Sequence, residues 1–405
     1  MMPKPTSKTQ SVLIALVVFV CFLAIFLMYY EPSRTWFKCP AAKVLTNNVS
    51  AELCLRLLKM ENYTQTDSKN NCNDDSETKR VQHPRKTTTP RPPTTTTAMK
   101  LTTAKSDPET IILIWMWPFG VPFTMEPCTK YNIDGCRLTD DKNLYNQADG
   151  VMIHHRDIRG DLSNIPQQPR PVFQKWVWWN MESPTHSPNY PKLKEMFNLT
   201  SSYRRDSDIP VPYGSIVQTK GKEINYTIPK KDKLVCWIVS NWNPNYKRTH
   251  FFSEFSKHIT VEGYGGHFNR RISGDDYAKT MASCKFYLSF ENSVHKDYIT
   301  EKLFKPLNIG TVPVVLGSSR ENYEQYIPGE AFIHVDDFKT PKELADHLKS
   351  LDKNEDLYMQ HFTWKKNFIV KESSFGPIHS CLSCAHIRRF KDYKVVKDLN
   401  AWWFV

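Results

Sequence analysis

Glu182 stands where a buried strand is expected to end, a position that suits a catalytic carboxylate. The apolar run 172–179 predicts the strand, and Pro184 breaks the extended pattern just after Glu182. In parallel α/β sheets, ligands bind at the carboxyl ends of the strands. A carboxylate there could take the proton from a hydroxyl nucleophile as its new bond forms. A glutamate at a strand end is more often structural, so position alone leaves both interpretations open.

Lys302 marks a candidate anion site. Thr300 is a favourable N-cap for a helix that runs to Ile309, and Gly310 ends that helix. Lys302 then falls in the first turn, where free backbone N–H groups and the helix dipole also favour anions. The arrangement suits a phosphate group, although a lysine at a helix start is usually only solvated.

Asp206 and Asp208 form a DxD sequence, which holds a divalent metal ion in many enzymes. Two arginines precede the pair directly, so ion pairing explains the aspartates without a metal. We therefore expect no metal site here, and an enzyme that uses these aspartates to bind a metal ion remains the alternative. The adjacent His154 and His155 would point to opposite faces of a strand, so they are not expected to share one ion.

The elements that must position these residues alternate between strands and helices. The pattern restarts after Tyr213 and Gly214, so the chain contains two such runs. Repetition of strand, helix and strand predicts α/β architecture with parallel, doubly wound sheets, here two Rossmann-like domains with a cleft between them. Predicted strands cover 109–117, 150–155, 172–179, 234–242, 285–292, 311–317 and 331–335; predicted helices cover 248–258, 300–309, a segment opened by a Ser318–Glu321 capping box, and 341–351.

The amino-terminal region reads as a membrane anchor followed by a stalk. Residues 11–30 carry no charge and are almost entirely apolar, and about 20 such residues span a bilayer core. The lysines before this segment predict a cytoplasmic tail, with the rest of the chain in the lumen. Residues 31–107 include the run TTTPRPPTTTT, which suits O-glycosylation. Sequons for N-glycosylation stand at Asn48, Asn62, Asn198 and Asn225.

Composition excludes several classes of function. The chain has 405 residues and a formal net charge of +12, but no dense basic run, so a nucleic-acid arm is not expected. With 14 glycines, it contains neither a GxGxxG nor a Walker motif. Apolar residues make up 40% of the chain, which is enough to form buried cores.

The ten cysteines are distributed unevenly. One lies in the apolar segment and three lie in the stalk. Because three is an odd number, one stalk cysteine is left either as a free thiol or for an intermolecular disulfide. Six remain in the globular part, and sequence reasoning alone does not choose their pairing. The CxxC at 381–384 could be a redox pair or half a zinc site, but a luminal chain without a second CxxC favours structural disulfides.

Four sequence blocks resemble the α1,3-fucosyltransferases of glycosyltransferase family 10. The blocks are HHRDI at 154–158, QKWVWWNMESPTH at 174–186, FNLTSSYRRDSDIPVPYG at 197–214, and FYLSFENSVHKDYITEKLF at 286–304. The resemblance implies a GT-B fold and inverting transfer of fucose from GDP-fucose to O3 of GlcNAc in Galβ1-4GlcNAc, giving Lewis x-type structures on glycoproteins or glycolipids. It also implies a single-pass type II protein of the Golgi membrane. No cofactor is required, although Mn²⁺ can stimulate turnover, and formation of a homodimer is left open.

The same resemblance assigns roles to individual residues. Glu182 is the general base, and Arg156 restricts transfer to the 3-hydroxyl. On position alone, Arg156 could equally form an ion pair with Asp157 or Asp161. Trp117, Phe119, His155, Arg156 and Glu182 face the acceptor, and the implied disulfides are Cys128–Cys381, Cys136–Cys384 and Cys236–Cys284. The donor site is lined by Tyr213, Gly214, Ser240, Asn241, Arg248, Tyr287, Asn292, Tyr298, Glu301 and Lys302.

Composition and resemblance together divide the chain into six parts. These are a cytoplasmic tail (1–10), a signal-anchor helix (11–30), a stalk (31–107), an acceptor-binding domain (108–213), a GDP-fucose-binding domain (214–365) and a C-terminal segment that packs back on the acceptor domain (366–405). The alternative among enzymes is a metal-dependent transferase that uses the DxD aspartates. A different class of function is a sugar-binding or adhesion protein that kept the fold and lost catalysis. The intact charged residues Glu182, Arg248, Glu301 and Lys302 speak against that loss.

Overall fold

The structure is a computed structural model that describes residues 108–219, 221 and 223–404. The predicted anchor at 11–30, the stalk, and the sequons at Asn48 and Asn62 lie outside the described residues. Across the described ranges, we find no helix with the length and apolarity needed to cross a membrane.

The first sheet has six parallel strands in the order β2-β1-β3-β4-β5-β6. Three of them, with sequences GVMIH, KWVWWN and LTSS, are buried at every position, as expected for parallel strands covered on both faces. The strands are β1 (Thr110–Ile114), β2 (Cys136–Thr139), β3 (Gly150–His154), β4 (Lys175–Asn180), β5 (Leu199–Ser202) and β6 (Ile209–Pro210).

The second main sheet has five parallel strands, and a short antiparallel pair lies outside it. The order in the five-stranded sheet is β12-β11-β10-β8-β9, and the pair joins β7 to β13. The strands are β7 (Gly214–Gln218), β8 (Lys233–Ile238), β9 (Glu262–Tyr264), β10 (Cys284–Phe290), β11 (Val312–Leu316), β12 (Ile333–His334) and β13 (Phe368–Glu372).

Helices follow most strands of the second sheet, in agreement with the predicted α/β class. The α-helices are α1 (Lys247–Phe255), α2 (Gly274–Ala282), α3 (Glu301–Ile309), α4 (Arg320–Glu324), α5 (Pro341–Asp352), α6 (Glu355–Gln360), α7 (Pro377–Arg389) and α8 (Leu399–Trp403). Short 3-10 turns lie at Pro118–Gly120, Cys128–Tyr131, Lys142–Gln147, His155–Asp157, Pro184–His186, Pro191–Leu193, Gly329–Ala331, Val335–Asp337 and Thr363–Lys366.

Helix α4 corrects one predicted cap. Its N-cap is Ser319, whose side chain accepts a hydrogen bond from the Asn322 backbone N–H, and not Ser318. Both serines precede the same helix, so local composition did not distinguish them. The predicted cap of α3 is confirmed, since the Thr300 side chain accepts from the Lys302 N–H, and Gly310 ends the helix with a positive φ.

Helix α7 connects the carboxyl-terminal part of the chain to the first sheet. Its Cys384 and Ile387 pack against the apolar face formed by Ile112, Ile114 and Met152. The structure pairs the same cysteines as the resemblance implied: Cys128–Cys381, Cys136–Cys384 and Cys236–Cys284. The first two pairs tie α7 to the region around β2 across more than half of the chain. The third joins β8 to β10 inside the second sheet.

Gly214 begins β7 at the point where the chain leaves the first sheet. A Cβ at this position would lie 2.5 Å from the ring of Phe304 in α3. Only glycine allows this approach without a shift of the helix. Because α3 begins at the candidate anion site, this packing helps to fix the position of Lys302.

Candidate active site

Glu182 follows β4 directly, at the carboxyl end of the first sheet. Its backbone N–H donates to Asn180 Oδ1 at 3.1 Å, and Asn180 Nδ2 donates to Ser187 Oγ at 2.8 Å. The hydroxyl of Tyr213 donates to the carbonyl of Met181 at 2.6 Å. The residue before Glu182 and its own N–H are therefore both anchored, while its side chain stays half-buried.

Lys302 lies at the start of α3 between two carboxylates. Its Nζ is 3.2 Å from Glu291 Oε2 and 3.2 Å from Glu301 Oε1. Glu291 is buried just beyond the end of β10 and accepts hydrogen bonds from the backbone N–H and the hydroxyl of Thr300, each at 2.8 Å. Strand β10 and helix α3 thus meet at one charged cluster, in which Glu291 is buried and Lys302 and Glu301 are partly exposed.

The pKa shifts of this cluster follow from burial and pairing. Burial raises the pKa of Glu291 in spite of the nearby ammonium group. Burial alone would lower the pKa of Lys302, but Glu291 and Glu301 raise it above its ordinary value. Burial alone would raise the pKa of Glu301, but Lys302 brings it below its ordinary value. Lys302 therefore remains a cation at neutral pH.

Arg248 supplies a second buried cation. It lies in the first turn of α1, with 3% of its surface exposed, and donates to the carbonyls of Phe290 and Asn241. Its guanidinium carbon lies 5.4 Å from the centre of the Tyr246 ring. The Nε atom is buried without a hydrogen-bond partner. Burial lowers the pKa of Arg248, but an arginine side chain keeps its charge in proteins.

Charges from both sheets act on one side chain, His186. Burial lowers the pKa of His186 first, Glu182 opposes that shift, and Arg156, Arg248 and Lys302 lower the pKa further. Glu182 comes from the first sheet, whereas Arg248 and Lys302 come from the second. Arg248 lies in the first turn of α1 and Lys302 in the first turn of α3. A carboxylate from one sheet can accept a proton, and two cations from the other can stabilise an anionic leaving group.

The predicted acceptor residues are only partly brought together. The exposed Arg156 donates to the carbonyl of His186, and its guanidinium carbon lies 5.9 Å from the centre of the Phe119 ring. Phe119 is 51% exposed, with a φ of 55°. Trp117 is half-buried and packs edge-on against Phe123. Arg156 and Phe119 therefore present a cation and an aromatic face beside the loop that carries Glu182.

His155 corrects the predicted acceptor surface. It is only 1% exposed, its Nε2 lies 2.8 Å from the Pro188 carbonyl, and its Nδ1 accepts from Trp178 Nε1 at 3.0 Å. Both ring nitrogens are used inside the protein, so His155 does not face a ligand. Burial lowers the pKa of His155 to about 4.

The predicted donor residues fall into exposed and enclosed groups. Ser240 and Asn241 follow β8 and are exposed, and Asn292 is half-buried after β10. Tyr287 corrects the prediction, because it is buried against the Cys236–Cys284 disulfide. Tyr298 is also buried, between Tyr203 and Tyr213. Tyr287 and Tyr298 are therefore enclosed by other side chains and do not line an open surface.

The structure pairs both DxD aspartates with basic side chains. Asp206 accepts two hydrogen bonds from Arg204, at 2.9 and 2.7 Å, and Asp208 pairs with Lys394. The DxD aspartates are thus held in ion pairs.

Asn198 corrects the predicted sequon, because its side chain is fully buried and hydrogen-bonded to Trp176 N and the Lys394 carbonyl. A glycan on that amide would break this packing, whereas Asn225 is exposed.

Glu291, His186 and Tyr246 are site residues that the sequence analysis missed. Glu291 fell inside the predicted strand 285–292, whereas the observed strand β10 ends at Phe290, so Glu291 follows a strand end only in the structure. His186 stands within the WNMESPTH block, but only its contacts give it a role. Tyr246 carries no local signal, since its importance comes from a contact with a residue 60 positions earlier.

Family models match most of the region that builds this site. The model described as "Fucosyltransferase, N-terminal" covers residues 107–214, and the model described as "Glycosyltransferase family 10 (fucosyltransferase) C-term" covers residues 228–402. The chain belongs to the glycosyltransferase family 10 fucosyltransferases. It is therefore a glycosyltransferase, as the four sequence blocks predicted.

Several family 10 members are similar along nearly the whole chain. The 4-galactosyl-N-acetylglucosaminide 3-alpha-L-fucosyltransferase 9 proteins of Mus musculus and Homo sapiens are each 44% identical over 395 residues, covering 97% of this chain and 96% of theirs. The protein of the same name from Bos taurus is 52% identical over 297 residues, covering 73% of this chain and 82% of its own.

A solved structure is also similar. It is described as the crystal structure of an alpha1,3-fucosyltransferase with GDP-fucose, and it is 16% identical in sequence with a TM-score of 0.49. The similarity covers 73% of this chain and 96% of that protein.

Proposed function

We propose that this chain transfers fucose from GDP-fucose to O3 of GlcNAc in terminal Galβ1-4GlcNAc, with inversion at the anomeric carbon. The observation that carries the proposal is that the loop of Glu182 contacts the elements that carry the two cations. Ser183 Oγ accepts from Ser293 at 2.7 Å, and His186 Nε2 lies 3.0 Å from the hydroxyl of Tyr246, which precedes Arg248 at the start of α1. A base on one side and two cations on the other match the charge that develops when a sugar nucleotide reacts. The family 10 relatives named as 3-alpha-L-fucosyltransferases support the same reaction.

Glu182 acts as the general base. As the acceptor 3-hydroxyl attacks the anomeric carbon of fucose, its proton passes to the Glu182 carboxylate and the new C–O bond forms. The bond between that carbon and the phosphate oxygen breaks at the same centre, and its electron pair leaves with GDP. Attack on the face opposite the leaving group inverts the configuration. Such a base contributes about 10²–10⁴-fold to the rate.

Lys302 and Arg248 stabilise the departing diphosphate. Lys302 lies in the first turn of α3, where the backbone N–H groups add to the attraction for an anion. Arg248 has an unpartnered Nε beside the carbonyls it already serves, so it retains a donor. Glu301, held next to Lys302, accepts from the ribose diol. Ser240, Asn241 and Asn292 complete the polar lining of the donor site.

Arg156 selects the acceptor. Its guanidinium is held over Phe119 and against the His186 carbonyl, next to the loop of the base. A rigid fork of directional donors holds a sugar in one orientation. This favours Galβ1-4GlcNAc, which offers the 3-hydroxyl, over Galβ1-3GlcNAc, which offers the 4-hydroxyl. The product is a Lewis x-type structure.

We infer a GT-B arrangement, in which the two parallel sheets form the acceptor and donor domains. The apolar segment 11–30 anchors the protein as a single-pass type II protein of the Golgi membrane, with the catalytic part in the lumen. Three disulfides suit that oxidising compartment. Catalysis uses no resident metal, because Arg248 and Lys302 supply the charge that a divalent ion would supply. Mn²⁺ stimulates only by binding GDP after release.

The test is transfer of radiolabel from GDP-fucose to N-acetyllactosamine by the purified protein. We expect labelled trisaccharide with an α1,3 linkage, identified by glycosidase digestion. A control reaction without acceptor corrects for donor hydrolysis. Binding of N-acetyllactosamine without any transfer would contradict the proposal and favour a sugar-binding protein.

A further inference from the structure

A chain of hydrogen bonds crosses from the second sheet to the loop that carries Glu182. Ser293 Oγ donates to Ser183 Oγ at 2.7 Å, and Ser183 Oγ lies 3.1 Å from His186 Nδ1. His186 Nε2 lies 3.0 Å from the hydroxyl of Tyr246, the N-cap residue of α1. Ser293 follows β10, so both ends of the chain belong to the second sheet and its middle belongs to the first.

Both nitrogens of the His186 ring take part in this chain. Nδ1 lies within hydrogen-bond distance of Ser183 Oγ, and Nε2 lies within hydrogen-bond distance of the Tyr246 hydroxyl. The tautomer of the ring decides which nitrogen donates and which accepts. The hydrogen bond made by one ring nitrogen sets the role of the other. Every polar atom of the His186 ring is therefore committed to this chain.

Further contacts connect His186 and its loop to the catalytic groups. The His186 carbonyl accepts from Arg156, which lies on the acceptor side. The Tyr246 ring lies 5.4 Å from the Arg248 guanidinium carbon, which lies on the donor side. A second link pairs Thr185 Oγ1 with His295 Nε2 at 2.6 Å. The short turn Pro184–His186 is thus held from both sides, four residues or fewer from the base.

We propose that His186 is a positioning residue that couples the donor side to Glu182 through its bond to Tyr246. The inference rests on the proposed function for Glu182 and Arg248. A donor diphosphate that binds Arg248 fixes the guanidinium against the Tyr246 ring. The hydrogen bond between His186 and Tyr246 then fixes the position of the Pro184–His186 turn. The base is then held at the acceptor hydroxyl only when the donor side is in place.

The kinetic test is a double-mutant cycle. His186→Phe keeps an aromatic ring and removes both nitrogens, and Tyr246→Phe removes only the hydroxyl. His250→Phe, on an exposed position of α1 outside the hydrogen-bond chain, is the matched control. We expect each single variant to lower kcat by up to about 10²-fold, the usual cost of a misplaced catalytic group. The donor dissociation constant, measured by titration with GDP, is expected to change less than about 3-fold.

The double variant shows whether His186→Phe and Tyr246→Phe lower kcat through their shared hydrogen bond or through two unrelated defects. If the bond carries the effect, the double variant loses no more activity than the more impaired single variant, because both changes remove the same interaction. Losses that multiply, or wild-type kcat in either single variant, overturn the inference. Equal loss of GDP affinity and kcat also overturns it, since that pattern indicates a damaged donor site.

Hydrogen–deuterium exchange tests the link without relying on activity. We expect GDP to slow exchange in the peptide covering 181–187 in the wild type, and Tyr246→Phe to abolish that slowing. Unchanged slowing in the variant, or none in the wild type, overturns the coupling. A wild type that shows the coupling but transfers no fucose contradicts the proposed function alone, so the two failures are distinguishable.

Discussion

The carboxylate of Glu291 lies 3.2 Å from the ammonium group of Lys302, beneath the start of α3. Glu291 also accepts both the backbone N–H and the hydroxyl of Thr300, the N-cap of the same helix. One buried carboxylate therefore fixes the helix start and the cation that we assign to the diphosphate. Removing Glu291 takes the acceptor from the Thr300 N–H and hydroxyl and leaves Lys302 paired with Glu301 alone; breaking a buried pair in this way is strongly destabilising.

We expect Glu291→Ala to lower the free energy of unfolding by about 3–5 kcal/mol. Glu291→Gln keeps the shape and an acceptor for Thr300, so its cost is expected to be about 1–3 kcal/mol. Urea denaturation of the described region with its disulfides intact measures both values. Glu355→Ala, which removes an exposed partner of Lys285, is the control and is expected to cost no more than about 1 kcal/mol. Equal losses in Glu291→Ala and the control would be inconsistent with this role.

The Gln variant also has a pH signature. Burial raises the pKa of Glu291 in the folded state above the ordinary value of 4.5 that it has in the unfolded state. At pH values between the unfolded-state pKa and the folded-state pKa, the folded state therefore binds more protons than the unfolded state. Stability from this group therefore falls as pH rises through that window. Because Gln does not titrate, the advantage of the wild type over Glu291→Gln is expected to shrink from pH 4.5 upward. If the stability advantage of the wild type over Glu291→Gln grew with pH instead, the pKa of Glu291 would be lowered by folding and not raised.

Glu182→Gln tests the general base. The amide preserves shape but accepts no proton, so kcat is expected to fall by roughly 10²–10⁴-fold. GDP-fucose affinity is expected to stay nearly unchanged, because the residue acts on the acceptor hydroxyl. Steady-state kinetics and donor titration check the two quantities separately. Glu195→Gln, an exposed glutamate of the same sheet region, is the control, and near-normal turnover in Glu182→Gln would falsify the assignment.

Asp206→Asn separates ion pairing from metal binding. Arg204 lowers the pKa of Asp206 against the effect of burial, so the folded state holds the carboxylate ionised to lower pH than the unfolded state. Its stabilisation is present above the ordinary value of 3.8 and is lost as pH falls through the lowered pKa. We expect the variant to lose up to about 1 kcal/mol of stability at neutral pH and little below that window. Thermal unfolding at several pH values measures the difference.

The activity of Asp206→Asn completes this test. Since the aspartates are committed to ion pairs, exhaustive chelation is expected to leave most transferase activity in both the wild type and the variant. Complete loss on chelation that Mn²⁺ restores in the wild type, but not in the variant, would favour a metal site. Mild stimulation by Mn²⁺ in both proteins fits binding of the ion to released GDP.

Arg156→Trp tests acceptor selection. The wild type is expected to fucosylate Galβ1-4GlcNAc and to give no detectable product with Galβ1-3GlcNAc. The variant loses the hydrogen bond to the His186 carbonyl, but its flat ring can stack on a sugar in either orientation. We therefore expect α1,4 product from the variant, with linkage determined by NMR of the isolated trisaccharides. Arg159→Trp, an exposed control three residues later, is expected to behave as the wild type. An α1,4 product from the wild type, or none from Arg156→Trp, would refute this role.

The sequence by itself determined the α/β class and the position of Glu182. Nearly continuous apolar runs such as 176–179 form strands that are buried on both faces, and this pattern is local. The cap at Thr300 and the helix end at Gly310 are also local, because each depends on residues within one turn. These features follow from short-range sterics and hydrogen bonding, which a linear sequence displays directly.

Only the tertiary structure decided which polar residues face a ligand. His155 and Asn198 look accessible in sequence, yet each is enclosed by partners 20 to 200 positions away. Glu291 gains its role from the start of α3, and His186 gains its role from Tyr246. Burial and pairing depend on which distant segments the two sheets bring together. No local pattern records those contacts, because their energy arises only when the separate elements meet.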